Sequence, residues 1–201
     1  MATMDQRYFE HVLMKPRAGE QALITVRLTH SIPFSAREKL LEYRLRRDAD
    51  SIHNPDAQRL AELFAYWDLT LDHSPGPRWL EHPDVAASAK RTLRDMDGVL
   101  CSVRSWVLLP THIHVLAQRL HNDAPAPAML HVADALKMPV AYRIRQSLRV
   151  YSPIWEGDTH IHTLEEGSDI ERTLRYLRQE PVRAGLVATP DAWEWRGEKG
   201  D

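Results

Sequence analysis

Cysteine is nearly absent: Cys101 stands alone in 201 residues, so no disulfide within the chain can brace the fold. Stability therefore rests on a buried core, and an unpaired thiol in an alternating apolar stretch reads as a small buried side chain in a reducing cytoplasm. Long apolar runs are absent as well. None approaches the roughly 20 residues that cross a bilayer, and the first ten residues lack a basic start followed by an apolar segment. The expectation is a cytoplasmic protein with no membrane partner. Nor does either sign of charge dominate: 26 Lys and Arg against 28 Asp and Glu leave a net charge of −2. That excludes attachment to nucleic acid by bulk positive charge and leaves any such role to a local site.

What is present suits one α+β domain over 1–201, with its core at about 20–195. Alternation over residues 22–30 reads as a first strand, closed by Ser31, Ile32 and Pro33. Ser35 caps a helical region carrying Leu40, Leu41, Tyr43, Leu45, Leu60, Leu63 and Phe64, interrupted near Asn54 and Pro55. After a turn at Ser74, Pro75, Gly76 and Pro77, a helix is expected over 84–96, ending before Asp97 and Gly98. Residues 99–109 suit a central strand and 112–118 its antiparallel partner, joined by a turn at Pro110 and Thr111. A loop over 122–127 leads to a helix through Leu136, Tyr142 and Ile144, and a short strand is expected over 159–164.

The hairpin carries the first chemical signal. His112 and His114 are two apart on a strand, so both imidazoles face one side of the sheet, where two neutral nitrogens can grip one divalent metal. Spacing alone is weak support, since 11 histidines in 201 residues give roughly 0.6 such pairs by chance. A second pair, His160 and His162, repeats the pattern without the lead-in of Trp106, Leu108, Leu109 and Pro110. It reads as surface or sheet-edge histidine.

The last helix carries the second signal. Ser168 and Glu171 have the spacing of a capping box, and Ile170, Leu174 and Leu177 form its buried stripe. Tyr176 and Glu180 are four apart and share another flank, before Pro181 is expected to end the helix.

The run from Trp106 through Pro110, His112 and His114, and the run Tyr176-Leu177-Arg178-Gln179-Glu180-Pro181-Val182-Arg183-Ala184-Gly185-Leu186, together resemble the IS200-like (Y1) transposases. The likeness is to the REP-associated tyrosine transposase branch, whose members carry a W-V-x-M-P-N-H-V-H hairpin and a Y-I-x-x-N-P-V-K-A-G-L helix end. It extends from about Ala22 to Trp195. The resemblance implies a ferredoxin-like sandwich, an antiparallel sheet with helices packed on one face, as in HUH-type nucleases. It implies a transposase-like endonuclease and strand transferase that cuts single-stranded hairpin DNA through a 5′-phosphotyrosine intermediate.

Carried over residue by residue, His112 and His114 become metal ligands, Tyr176 the nucleophile, and Glu180 takes the place of an asparagine ligand. Thr111 stands where the family has asparagine, and Leu136 with Lys137 where it has a Trp-Lys pair. Arg178 and Arg183, which flank the tyrosine, and Lys137 are the candidate DNA contacts, and the expected state is monomer or homodimer. The chemistry fits these residue types. A divalent ion can neutralise charge on a phosphodiester while a tyrosine attacks phosphorus, and with no thiolate in the set Mg²⁺ or Mn²⁺ suits the ligands. Two alternatives remain: a domesticated relative that only binds structured DNA, and a ferredoxin-like RNA-binding module. Aromatics make up 7% of the chain, few for the stacking platform that the RNA module needs.

Overall fold

The computed structural model describes residues 20–32, 70, 74, 76–120, 128–157, 159–164 and 168–199. The helical region expected after Ser35, the turn residue Pro75 and the loop over 122–127 lie outside these residues. Among the described residues, strand β1 (Gln21–Arg27) is followed by helix α1 (Pro83–Met96), the hairpin β2 (Ser102–Leu108) and β3 (His112–Gln118), and helix α2 (Met129–Leu148). Strand β4 (His160–Leu164), helix α3 (Ser168–Arg183) and strand β5 (Arg196–Glu198) complete the order. The sheet runs β4-β1-β3-β2-β5 and every strand pair is antiparallel. Among the described residues, up to β4 this is the βαββαβ arrangement of ferredoxin-like folds.

Strand alternation divides the sheet between two cores. Ala22, Ile24 and Val26 of β1 and Ile113, Val115 and Ala117 of β3 point to one face, where Val85, Ala89 and Leu93 of α1 and Val132, Leu136, Val140 and Ile144 of α2 cover them. Each large aliphatic side chain removed from water there contributes about 1.5–3 kcal/mol. On the other face Val107, Leu109 and Leu116 pack against Leu177 of α3, with Ile170 and Leu174 beside it. The α+β, ferredoxin-like sandwich expected from the sequence is the one observed, with the two helices of its βαββαβ unit together on one face. Helix α3 does not join them. It covers the opposite face, which Val107, Leu109 and Leu116 leave apolar enough to require an amphipathic partner.

Smaller differences have local causes. Residues 99–101 turn rather than extend, with Val99 exposed and the amides of Val99 and Leu100 bonded to the Met96 carbonyl, so β2 begins at Ser102. Pro181 does not end α3, which continues to Arg183. A proline this near the C-terminus removes one hydrogen bond, and the ending is made by the amides of Ala184, Gly185 and Leu186 on the carbonyls of Glu180, Val182 and Pro181. Gly185 supplies the left-handed residue at φ 68°. Strand β5 was not anticipated; it pairs with β2, and Gly197 lies so close to Trp106 that a Cβ there would fall 2.5 Å from Nε1.

Candidate metal centre

The β2–β3 turn aims the first two candidate ligands. The Leu109 amide donates to the His112 carbonyl at 2.9 Å across Pro110 and Thr111, and the Thr111 carbonyl accepts from the Leu28 amide at 2.9 Å, tying the turn to the end of β1. With the turn fixed, strand period sends His112 and His114 to the α3 face, their rings 4.7 Å apart and edge-on. From α3, Glu180 points down onto the same spot. His112, His114 and Glu180 are 0%, 2% and 0% exposed, and their ligand atoms all lie within 4.8 Å of one another.

Each ring is held from behind. The hydroxyl of Thr111 meets Nδ1 of His112 at 2.9 Å, and that of Thr25, facing His114 across the β1–β3 register, meets its Nδ1 at 2.8 Å. With Nδ1 as donor to the threonine oxygen, the lone pair of each ring sits on Nε2, toward Glu180. Nε2 of His112 has no hydrogen-bond partner, and Nε2 of His114 is 3.9 Å from Glu180 Oε1, beyond hydrogen-bond range.

Electrostatics keep both imidazoles neutral. Burial pushes His112 down to about 3 from the usual 6.5, aided by the charges of Arg27 and Arg183. Burial also holds His114 well below its ordinary value, with His112, Arg183 and His160 adding to the effect. A neutral, oriented nitrogen pair with a buried carboxylate is a donor set that could hold a divalent metal. The three residues fit the ion that the sequence implies, with nothing in the set to select among divalent metals.

Tyr176 lies at the rim, its ring centre 6.1 Å from that of His114. The Arg183 guanidinium stacks over it at 4.1 Å and also pairs with Glu180. Arg178 is half exposed and bonded to Asp191 at 3.2 Å, apart from the cluster. Lys137 sits on α2, across the sheet, with Nζ donating to Thr159. His160 and His162 are on edge strand β4, but the register sets His160 opposite Thr25 and His162 opposite Leu23, on the face that bears His114.

Sequence reasoning missed Thr25, and it passed over Arg27, a residue buried at 3% exposure opposite His112. The signal was there: Thr25 and Arg27 are, with Gln21, the polar members of β1 at strand spacing, so they share a face. Their partners, on a strand more than 80 residues away, were not readable.

No known family's sequence pattern and no curated protein matches this chain. Among solved structures, it is similar to a REP-associated tyrosine transposase bound to a REP hairpin, with a TM-score of 0.50 and 13% identity over 90% of this chain and 77% of that one. At that identity the likeness is one of fold alone.

Proposed function

We propose that this protein is a metal-dependent tyrosine endonuclease and strand transferase acting on single-stranded hairpin DNA, of the IS200-like transposase type. The observation that carries the reading is the meeting, on one sheet face, of two neutral histidines, a buried carboxylate and a tyrosine from a separate helix. A divalent ion held there, Mg²⁺ or Mn²⁺, would neutralise charge on a non-bridging phosphate oxygen.

The chain's own residues do the rest. Thr25 and Thr111 fix the rings, and the hydrophobic packing of Leu177 fixes the helix turn that presents Tyr176 and Glu180. The Tyr176 oxygen loses its proton and attacks phosphorus; the bond to the 3′-oxygen breaks, and that oxygen takes up a proton. The products are a 5′-phosphotyrosine and a free 3′-hydroxyl, so the phosphodiester bond energy is kept for a later transfer. Arg183, already above the ring, is placed to meet the phosphate. Arg178 must release Asp191, and Lys137 must release Thr159, before either contacts DNA.

A second reading, a relative that binds hairpin DNA without cutting it, draws on Glu180 in the place of an amide and on the near-complete closure of the ligands. Labelled hairpin DNA incubated with Mn²⁺ and run on a denaturing gel separates the two. A covalent adduct, lost in Tyr176→Phe and His112→Ala, is the expected result. Binding with no adduct in Mg²⁺ or Mn²⁺ would support the second reading, and the absence of both would refute the two together.

A further inference from the structure

His160 and His162 lie outside the cluster of His112, His114 and Glu180, yet their placement is specific. Ile161, between them, sits opposite Ile24 and packs against the core that α1 and α2 cover, which pins the strand and sends both imidazoles to the α3 face. His160 is exposed and His162 half-buried. Two imidazoles with no carboxylate beside them in the strand suit Zn²⁺ or a similar borderline ion better than Mg²⁺ or Mn²⁺. A structural Zn²⁺ site takes about four ligands in a tetrahedron, so the pair supplies half a set.

The position of β4 offers the other half. Among the described residues it has a neighbour, β1, on one side only, so it is a sheet edge. Edge strands are commonly kept from pairing by lysine, proline and other charged residues, or by being very short. The other edge, β5, fits that rule: it is three residues long and carries Arg196 and Glu198. Strand β4 runs His160-Ile161-His162-Thr163-Leu164, with no lysine, proline or acidic residue.

The motif is also its own complement. Antiparallel pairing of two copies about Ile161 sets His160 of each opposite His162 of the other and keeps all four imidazoles on one face. Directly opposite Cβ atoms lie about 5 Å apart, and those two residues apart along a strand about 7 Å, a rectangle from which four rings can turn onto one ion.

We propose that His160 and His162 form half of a second metal site, a Zn²⁺ site completed by the same two residues of a second copy of this chain. It stands apart from the endonuclease reading, because it uses none of that cluster's residues. Two such short strands bury far less than the roughly 1,000 Å² of a stable interface, so the ion and not strand pairing decides association. The joined sheets carry the two clusters of His112, His114 and Glu180 on one face, five strand spacings or about 24 Å apart.

Sedimentation velocity on the full chain, with Zn²⁺ alone as the probe, tests the proposal. The chain should sediment as a monomer in chelator or in Mn²⁺, and Zn²⁺ should convert it to a dimer that chelator reverses. His160→Ala and His162→Ala should each weaken the Zn²⁺ dimer roughly tenfold or more and lower bound Zn²⁺ by about half an ion per chain, with the Tm in chelator unchanged. His112→Ala should keep the dimer, which separates this site from the buried cluster. Zn²⁺ held by the pair without a dimer, a dimer that forms equally in chelator, or a Zn²⁺ dimer untouched by His160→Ala and His162→Ala would overturn the proposal.

Discussion

If His112, His114 and Glu180 form one metal site, Mn²⁺ should stabilise the folded chain by an amount that depends on His112. Ligand present at a hundred times its Kd adds about 2.7 kcal/mol to the folded state. For a chain of 201 residues, with roughly 2–4 °C of Tm per kcal/mol, that becomes a rise of about 5–11 °C. Taking away one of three ligands and weakening binding a hundredfold puts the same Mn²⁺ concentration at its Kd. Only about 0.4 kcal/mol is then left, a rise of about 1–2 °C. His112→Ala also opens space at a fully buried position, so its Tm without metal should fall independently. The quantity to compare is therefore the metal-induced increment, measured by differential scanning calorimetry with and without chelator. Equal increments in wild type and His112→Ala, or none in wild type, would refute the site.

Three further outcomes follow from named contacts. Thr25→Val removes the hydroxyl at His114 Nδ1 and should weaken Mn²⁺ binding about 10–100-fold by calorimetric titration, with Thr25→Ser near wild type. Chelator-treated protein should lose stability as pH falls from 6.5 toward 3: the unfolded His112 takes up a proton in that window and the folded one, held down to about 3, does not. The difference is at most about 5 kcal/mol, and the slope of urea midpoint against pH should be shallower in His112→Gln; an unchanged slope would contradict the assignment. Gly197→Ala puts a Cβ 2.5 Å from Trp106 Nε1 and should cost about 1–3 kcal/mol in chemical denaturation.

The candidate site was legible where its geometry follows from short-range periodicity. His112 and His114 share a face because strands repeat every two residues, and Tyr176 and Glu180 share a flank because helices bring i and i+4 together. What escaped depends on distant parts of the chain. Thr25 supports His114 only because β1 lies beside β3 in one register, which nothing local to either segment encodes. Strand β5 is three residues without alternation, formed where Gly197 lets the backbone close on Trp106. Pro181 misled because its rule concerns helix interiors, and here the helix has only two residues left, Val182 and Arg183. The second pair of histidines shows the reverse effect. His160 and His162 stay on an edge strand, yet β1 turns them to the His114 face, near enough for His160 to act on His114 electrostatically.

Glu180, where the resembled family has an amide, brings a negative charge into a site that the proposed reaction requires to receive a phosphate. A carboxylate with no exposure cannot stay ionised there at modest cost without a partner. Arg183, three residues along the same helix, supplies one and reaches over Tyr176 as well. The two charges cancel, so the pair leaves the cluster with the net charge an amide would have given. The compensation makes the two residues interdependent. Arg183→Ala alone removes the ion pair that Arg183 makes with the buried carboxylate; with the guanidinium 40% exposed, the loss without metal should be about 1–3 kcal/mol rather than the larger figure for a fully buried pair. Mn²⁺, able to replace the lost positive charge, should then stabilise this variant by a larger increment than it does wild type. Glu180→Asn with Arg183→Ala should recover most of that loss, a coupling of about 1 kcal/mol or more. Strict additivity of the two substitutions would mean that Arg183 does not balance Glu180 and would refute the compensation.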